Sequence, residues 1–192
     1  LDFVDLHRAL WVAEKAVPGG VDWIEAGTPL IKSEGLDAVR ELKRRFPGKT
    51  IVADMKIMDA GRTEVETAAK AGAGIVDVLG AATDATIQEC VQAGKNYGAR
   101  IVVDLIAVAD PVARARQVEE LGVDYISVHV AIDAQMRGED PFATLEAVAR
   151  AVKIPVGVAG GVNSETAAQA VAHGAAYVIV GGIVCALVAA AL

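Results

Sequence analysis

Two carboxylates and an amine lie close together in the run Ile51-Val52-Ala53-Asp54-Met55-Lys56-Ile57-Met58-Asp59-Ala60-Gly61. The run begins as an apolar strand and ends in charge. Residues two apart on a strand share a side, so Asp54 and Lys56 project together. Asp59 follows a turn and can swing back toward them. Charges assembled at the mouth of an apolar strand are costly unless they are hydrated, paired or used. Used, they offer acid–base and charge-stabilising chemistry. Taken alone, the trio reads equally well as a surface ion pair. The elements around it must decide.

Those elements repeat. Gly20-Val21-Asp22-Trp23-Ile24, Gly72-Ala73-Gly74-Ile75-Val76, Gly122-Val123-Asp124-Tyr125-Ile126 and Gly174-Ala175-Ala176-Tyr177-Val178 are versions of one phrase, with glycines 52, 50 and 52 residues apart. Each glycine follows a helical pattern, where a left-handed glycine ends a helix. Further strands fall midway, at Thr50–Ala53, Arg100–Val103 and Pro155–Val158, and Leu1–Val4 completes eight. Amphipathic stretches between them are expected as helices over Leu6–Val17, Glu34–Phe46, Glu64–Lys70, Ala85–Tyr97, Pro111–Leu121, Pro141–Val152 and Ser164–His173. Asp110-Pro111 and Asp140-Pro141 resemble a cap residue followed by a first-turn proline. Near-continuous apolar strands suit a parallel sheet covered on both faces. Four equal quarters favour a compact (β/α)₈ TIM barrel, a single domain over residues 1–192, above an open doubly wound sheet.

In such a barrel the carboxyl ends of the strands form one mouth, where chemistry occurs. They carry Asp2, Glu25, Asp54, Lys56, Asp104 and His129, while the strand bodies read as apolar. This convergence turns the Asp54/Lys56/Asp59 trio into a site candidate. The last two strands end in Gly160-Gly161 and Gly181-Gly182. One such pair is ordinarily a tight turn. Two pairs on adjacent final strands suit phosphate, because bare backbone N–H groups can approach the anion. Ser164 and Thr166 read as helix-start residues, and His7 and His173 as solvated residues of outer helices.

Bulk properties set the limits. The chain is 54% hydrophobic but 4% aromatic, with 19 glycines, which suits many tight strand–helix junctions. A net charge of −7 without a basic block argues against nucleic acid and anionic membrane as partners. Cys90 and Cys185 have no CxxC spacing and read as packed thiols, which fits a reducing, cytoplasmic setting. The first residues carry early acids rather than a signal peptide, and the start resembles the middle of a strand. Gly174–Leu192 is charge-free and long enough to span a bilayer, but Gly181-Gly182 interrupts it, and its first half continues the strand pattern. The run Ile183–Leu192 lacks the polar face expected of an outer barrel helix, and the pattern assigns it no role.

Asp54-x-Lys56-x-x-Asp59 with terminal Gly-Gly loops resembles the orotidine 5′-phosphate decarboxylase suprafamily, and within it the 3-hexulose-6-phosphate synthases. The likeness extends to Trp23–Ile31 and His129–Gln135. Orotidine phosphate decarboxylases usually continue differently after the motif, where Ala60-Gly61 stands here. The 3-keto-gulonate 6-phosphate decarboxylases typically carry Glu and Arg where this chain has Asp104 and Ile132.

The resemblance implies a metal-dependent, reversible aldol reaction. Formaldehyde and ribulose 5-phosphate would give hexulose 6-phosphate through an enediolate stabilised by Mg²⁺ or Mn²⁺. It implies Glu25 and Asp54 as metal ligands, Lys56 beside the developing oxyanion and His129 as proton shuttle. Asp59 would serve a neighbouring subunit of a homodimer. Asp2 and Asp104 would orient substrate hydroxyls or Lys56, and Gly160, Gly161, Gly181 and Gly182 would hold phosphate. Asp133 and Gln135 either bind substrate or order their loop. A keto-sugar-phosphate decarboxylase and a catalytically inactive sugar-phosphate-binding barrel are the competing readings.

Overall fold

The computed structural model describes residues 1–137 and 140–181. Strands and helices alternate: α1 (Leu6–Ala16), a 3₁₀ turn (Val17–Gly19), β1 (Trp23–Ala26), α2 (Thr28–Glu34), α3 (Asp37–Arg45), β2 (Thr50–Ile57), α4 (Gly61–Ala71), β3 (Ile75–Leu79), α5 (Asp84–Tyr97), β4 (Arg100–Asp104), α6 (Pro111–Glu120), β5 (Tyr125–His129), α7 (Ile132–Gln135), α8 (Phe142–Ala151), β6 (Val156–Ala159), α9 (Ala167–Ala172) and β7 (Tyr177–Val178). The seven strands form one parallel sheet in sequence order. The sheet curls: Trp23 of β1 packs against Tyr125 of β5 and Tyr177 of β7, with ring centroids 5.3 Å apart in each pair.

Local chemistry explains the punctuation. The four phrase glycines, Gly20, Gly72, Gly122 and Gly174, all have φ between 88° and 110°, as expected of left-handed helix ends. Asp5, Thr83 and Asp110 cap α1, α5 and α6 by accepting from backbone N–H groups. The layer between sheet and helices is built of small aliphatics such as Leu30, Leu42, Ile57, Val65, Ile87, Val118 and Leu145, all buried. Inside the curl, Val52, Ile75, Val102 and Tyr125 form a second cluster with Trp23 and Tyr177.

Four expectations are corrected. Leu1–Val4 does not form a strand ladder. It makes two bonds beside β1, with Leu1 N donating to Glu25 O and Gly27 N donating to Leu1 O. It then departs, because Val4 O accepts from Ser33 Oγ and Asp5 begins α1. β2 runs on to Ile57, past the apolar residues, because its end still pairs with β3. A separate helix, α2, precedes α3, with Pro29 in its first turn and Gly35 at its end. His173 is half-buried rather than solvated, stacked on Phe142 with Nδ1 3.1 Å from Glu146. Among the described residues no helix is long and apolar enough to cross a membrane. The run 183–192 and Gly182 lie outside the described residues.

Candidate active site

A cavity of about 350 Å³ opens at the carboxyl ends of the strands. Its wall includes Asp2, Glu25, Asp54, Lys56, Asp104, His129, Gly160, Gly161 and Gly181. With Gln135, ten of the residues singled out from the sequence meet at this one place. Gly182 lies outside the described residues. Asp59 is exposed, and its carboxylate accepts from the N–H of Ala60. It does not swing back to Asp54 and Lys56, because the turn carries it outward. Asp133 is exposed on α7 and outside the wall; Gln135, two residues on, is in it.

β2 aims the central pair. Its pairing with β3 shifts register between Ala53 and Ile57, and Lys56 takes φ 48°. A bulge of this kind re-aims a side chain, and a left-handed non-glycine residue persists only when its surroundings hold it there. Here the ammonium supplies the hold. Lys56 Nζ lies 2.8 Å from Asp54 Oδ1 and 2.9 Å from Asp104 Oδ2. Burial works against the charge on Lys56, but Asp77, Asp104 and Asp54 outweigh it, so its pKa stands above that of an ordinary lysine. The lysine is therefore a fixed cation.

Asp104 is the hub. It is 2% exposed. Its Oδ1 accepts from Ile106 N–H at 2.8 Å, and its Oδ2 receives both Lys56 Nζ and His129 Nδ1, the latter at 2.8 Å. Burial disfavours its charge, but the hydrogen bond and charge of His129, together with Lys56, hold its pKa below the usual value. An ionised Asp104 makes Nδ1 of His129 the donor and leaves Nε2 to exchange protons. Asp54 Oδ2 is held from the other side by Thr28, whose hydroxyl lies 2.8 Å away and whose N–H donates at 3.3 Å.

Glu25 faces the cavity from β1. Burial, with Asp54 and Asp2 adding repulsion, pushes its pKa up to about 7. A carboxylate raised by burial and, to a lesser degree, by like charges would be returned to its ionised form by a nearby cation. Among the described residues no cluster of three or more acid, His or Cys side chains forms a complete metal cage. Glu25 and Asp54 are the two carboxylates of the wall that could hold Mg²⁺, an ion that seldom uses an all-protein cage.

The glycine loop after β6 is sterically specified. Gly160 has φ 88°, and a Cβ there would lie 2.3 Å from Val130 O and 2.7 Å from Gln135 Nε2. Gln135 Nε2 donates to that same carbonyl at 2.7 Å, locking the loop after β5 onto the loop after β6. Asn163, also in the wall, accepts from the N–H groups of Glu165 and Thr166.

Sequence reading missed Asp77, Ser127 and Thr28. Asp77 and Ser127 overturn the expectation of apolar strand bodies: they lie inside β3 and β5 and line the cavity. Burial, with Asp54 and Asp104 adding repulsion, raises the Asp77 pKa well above the usual carboxylate range.

Fold and site together define an α/β enzyme whose cavity opens at the carboxyl ends of parallel strands. The family described as "Orotidine 5′-phosphate decarboxylase / HUMPS family" matches residues 1–186, and this chain belongs to it. A 3-hexulose-6-phosphate synthase of Bacillus subtilis (strain 168) is 42% identical over 183 residues, covering 95% of this chain and 87% of that one. The crystal structure of 3-hexulose-6-phosphate synthase from Salmonella typhimurium superposes with a TM-score of 0.91 at 40% identity, over 94% of this chain and 86% of that one. The 3-keto-L-gulonate-6-phosphate decarboxylase of Vibrio cholerae O1 is more distant, with a TM-score of 0.82 at 26% identity over 94% and 85%.

Proposed function

We propose that this chain is an aldolase that joins formaldehyde to ribulose 5-phosphate, giving hexulose 6-phosphate, and catalyses the reverse cleavage. The observation that carries this reading is the shared Asp104 oxygen that holds Lys56 and His129 side by side, in a chain about 40% identical to named synthases. A base must take a proton from C1 of the ketose, leaving an enediolate. His129 Nε2 is the nitrogen free to receive that proton. The Lys56 ammonium, fixed between Asp54 and Asp104, stabilises the oxygen on which charge develops. C1 then forms a bond to the formaldehyde carbon, and the former aldehyde oxygen takes up a proton as it becomes the new hydroxyl. A Mg²⁺ or Mn²⁺ ion held by Glu25 and Asp54 would supply further charge stabilisation for the enediolate.

The glycines of the loop after β6, with Gly181, would bind phosphate through bare backbone, and Asp2 at the rim would meet a substrate hydroxyl. Asp59 and Met58, both exposed beyond β2, support a homodimer in which Asp59 reaches the partner's site. The Trp23–Tyr177 contact and the two bonds of Leu1 support closure into an eight-membered (β/α)₈ barrel. The buried free thiol of Cys90 suits a reducing, cytoplasmic setting.

Incubation with ribulose 5-phosphate, formaldehyde and Mg²⁺ tests the reaction. Formaldehyde-dependent loss of ribulose 5-phosphate, abolished by EDTA and restored by Mg²⁺ or Mn²⁺, is expected. CO₂ release from a keto-gulonate phosphate without any formaldehyde-dependent turnover would replace this reading with the decarboxylase.

A further inference from the structure

Among the described residues, the wall of the cavity holds two polar atoms without a partner. Asp77 Oδ1 and Ser127 Oγ are buried and make no hydrogen bond. Their residues are 5% and 1% exposed, yet both side chains belong to the cavity wall. Buried polar groups are nearly always paired, and one that is not calls for an explanation. Among the described residues, the nearest donors make their closest contacts elsewhere. Below the two residues lies the apolar cluster of Val52, Ile75, Val102, Tyr125, Trp23 and Tyr177. Above them, the Lys56 ammonium is engaged by Asp54 and Asp104, and His129 Nδ1 by Asp104.

Sheet register separates the pair. Asp77 is level with Val102 of β4, whereas Ser127 is level with Asp104, two residues further along and on β4's other side. Their Cα positions are therefore staggered by two residues on strands that are not neighbours. They present two polar contacts set apart at the base of the cavity, beneath the reacting end marked by Lys56 and His129. Both residues belong to the wall of the cavity, so a polar group that enters it as part of a bound molecule can satisfy these atoms. An extended chain carrying several hydroxyls meets that description.

We propose that Asp77 and Ser127 are substrate-specificity residues whose unpartnered Oδ1 and Oγ each hydrogen-bond a mid-chain hydroxyl of the sugar phosphate. The assignment rests on the proposed ribulose 5-phosphate reading. In that substrate the C1–C2 end reacts and the phosphate occupies the glycine loop, so the C3 and C4 hydroxyls remain for Asp77 and Ser127. The site thereby selects a polyhydroxy ketose phosphate over shorter or deoxygenated phosphates that fill only the two ends.

The test pairs residue and hydroxyl deletions. Binding of ribulose 5-phosphate and of its 3-deoxy and 4-deoxy analogues is measured by calorimetry on wild type, Asp77→Ala, Asp77→Asn and Ser127→Ala, with formaldehyde-dependent turnover recorded in parallel. Asp77→Ala is expected to weaken ribulose 5-phosphate binding roughly 10- to 100-fold, and Ser127→Ala roughly 3- to 10-fold. Each variant should lose less than about twofold toward the analogue lacking its own hydroxyl, since the bond is then already gone. Asp77→Asn keeps the shape and an acceptor oxygen, and is expected to retain part of the discrimination even if the alanine variant folds poorly. Equal losses on all three ligands, or no loss on any, would overturn the proposal. If wild type turns over ribulose 5-phosphate without any such coupling, this inference alone fails. If coupling is found without formaldehyde-dependent turnover, the aldolase reading alone fails.

Discussion

Asp104→Asn probes the hub of the site. The carboxylate accepts from Lys56 Nζ at 2.9 Å, His129 Nδ1 at 2.8 Å and Ile106 N–H at 2.8 Å. Asparagine keeps the bond from Ile106 through its carbonyl oxygen but turns an NH₂ toward two donors. Removing one partner of a buried ion pair costs about 3–5 kcal/mol. Two effects reduce that here. Lys56 retains Asp54 at 2.8 Å, and one of several mutually repelling carboxylates has gone. A net loss of about 2–4 kcal/mol remains, which lowers the melting temperature by roughly 5–15 °C for a chain of this size. Because Asp104 is depressed below its ordinary value near 3.8, its stabilisation is present above that pH and lost as pH falls through the lower folded value. The melting gap between wild type and variant is therefore expected to be flat from about pH 5 to 8 and to narrow only below about pH 4. Activity should fall further than stability suggests. Without its anchor, His129 loses the orientation and tautomer that leave Nε2 as base, and misplaced general-base catalysis forfeits about 10²- to 10⁴-fold. KM for ribulose 5-phosphate should stay within a few-fold, since Asp104 is committed to protein donors. Formaldehyde-dependent turnover and calorimetric melting give both numbers. A variant with wild-type kcat and melting temperature would refute the bridging role.

Lys56→Ala should reduce kcat by at least 10²-fold while changing affinity for ribulose 5-phosphate by less than about tenfold; equal losses in rate and affinity would point to a barrel that only binds. Gly160→Ala places a Cβ 2.3 Å from Val130 O at φ 88°, and the loop's displacement should raise KM for the phosphorylated sugar about tenfold or more, read by steady-state kinetics. Burial, with Glu64 and Glu89 adding to it, pushes the Cys90 thiol up to about 12. Thiol reagents followed by peptide mass spectrometry should therefore leave Cys90 unlabelled in the native protein and label it in denaturant.

The repeat was readable because its punctuation is a matter of residue type. Left-handed helix ends want glycine, and Gly20, Gly72, Gly122 and Gly174 all adopt that geometry. Strand-end charges were readable for the same reason: Glu25, Asp54, Asp104 and His129 break apolar runs. Other features depend on contacts between distant segments. Thr28 earns its place only because α2 brings it to Asp54, 26 residues away in sequence. The outward path of Asp59 follows from Ala60 in the left-handed region at φ 53°, a conformation alanine does not announce. The bulge at Lys56 likewise shows itself only against β3.

Asp77 and Ser127 are a different case, because a signal for them existed. Inward-facing positions on a parallel strand recur every second residue. Trp23, Val52, Ile75, Val102 and Tyr125 pack in one inner layer. Adding two to each number gives Glu25, Asp54, Asp77, Asp104 and Ser127, every one of them in the cavity wall. Reading each strand from its end inward stops at the last polar residue and takes Leu79 as the end of β3. Reading all strands in a common phase reaches Asp77 two residues earlier. The polar residues thus stand one inward step above the apolar floor on each strand, staggered in register from strand to strand, and they have to be judged together. A charge at one of those heights is a candidate for the site even when the strand around it is apolar. The same phase puts Ala53, Val76, Val103 and Ile126 on the opposite face, and all four are fully buried against the helices. A polar residue moved by one position would therefore lie in the helix-facing core, where its burial without a partner would be strongly destabilising.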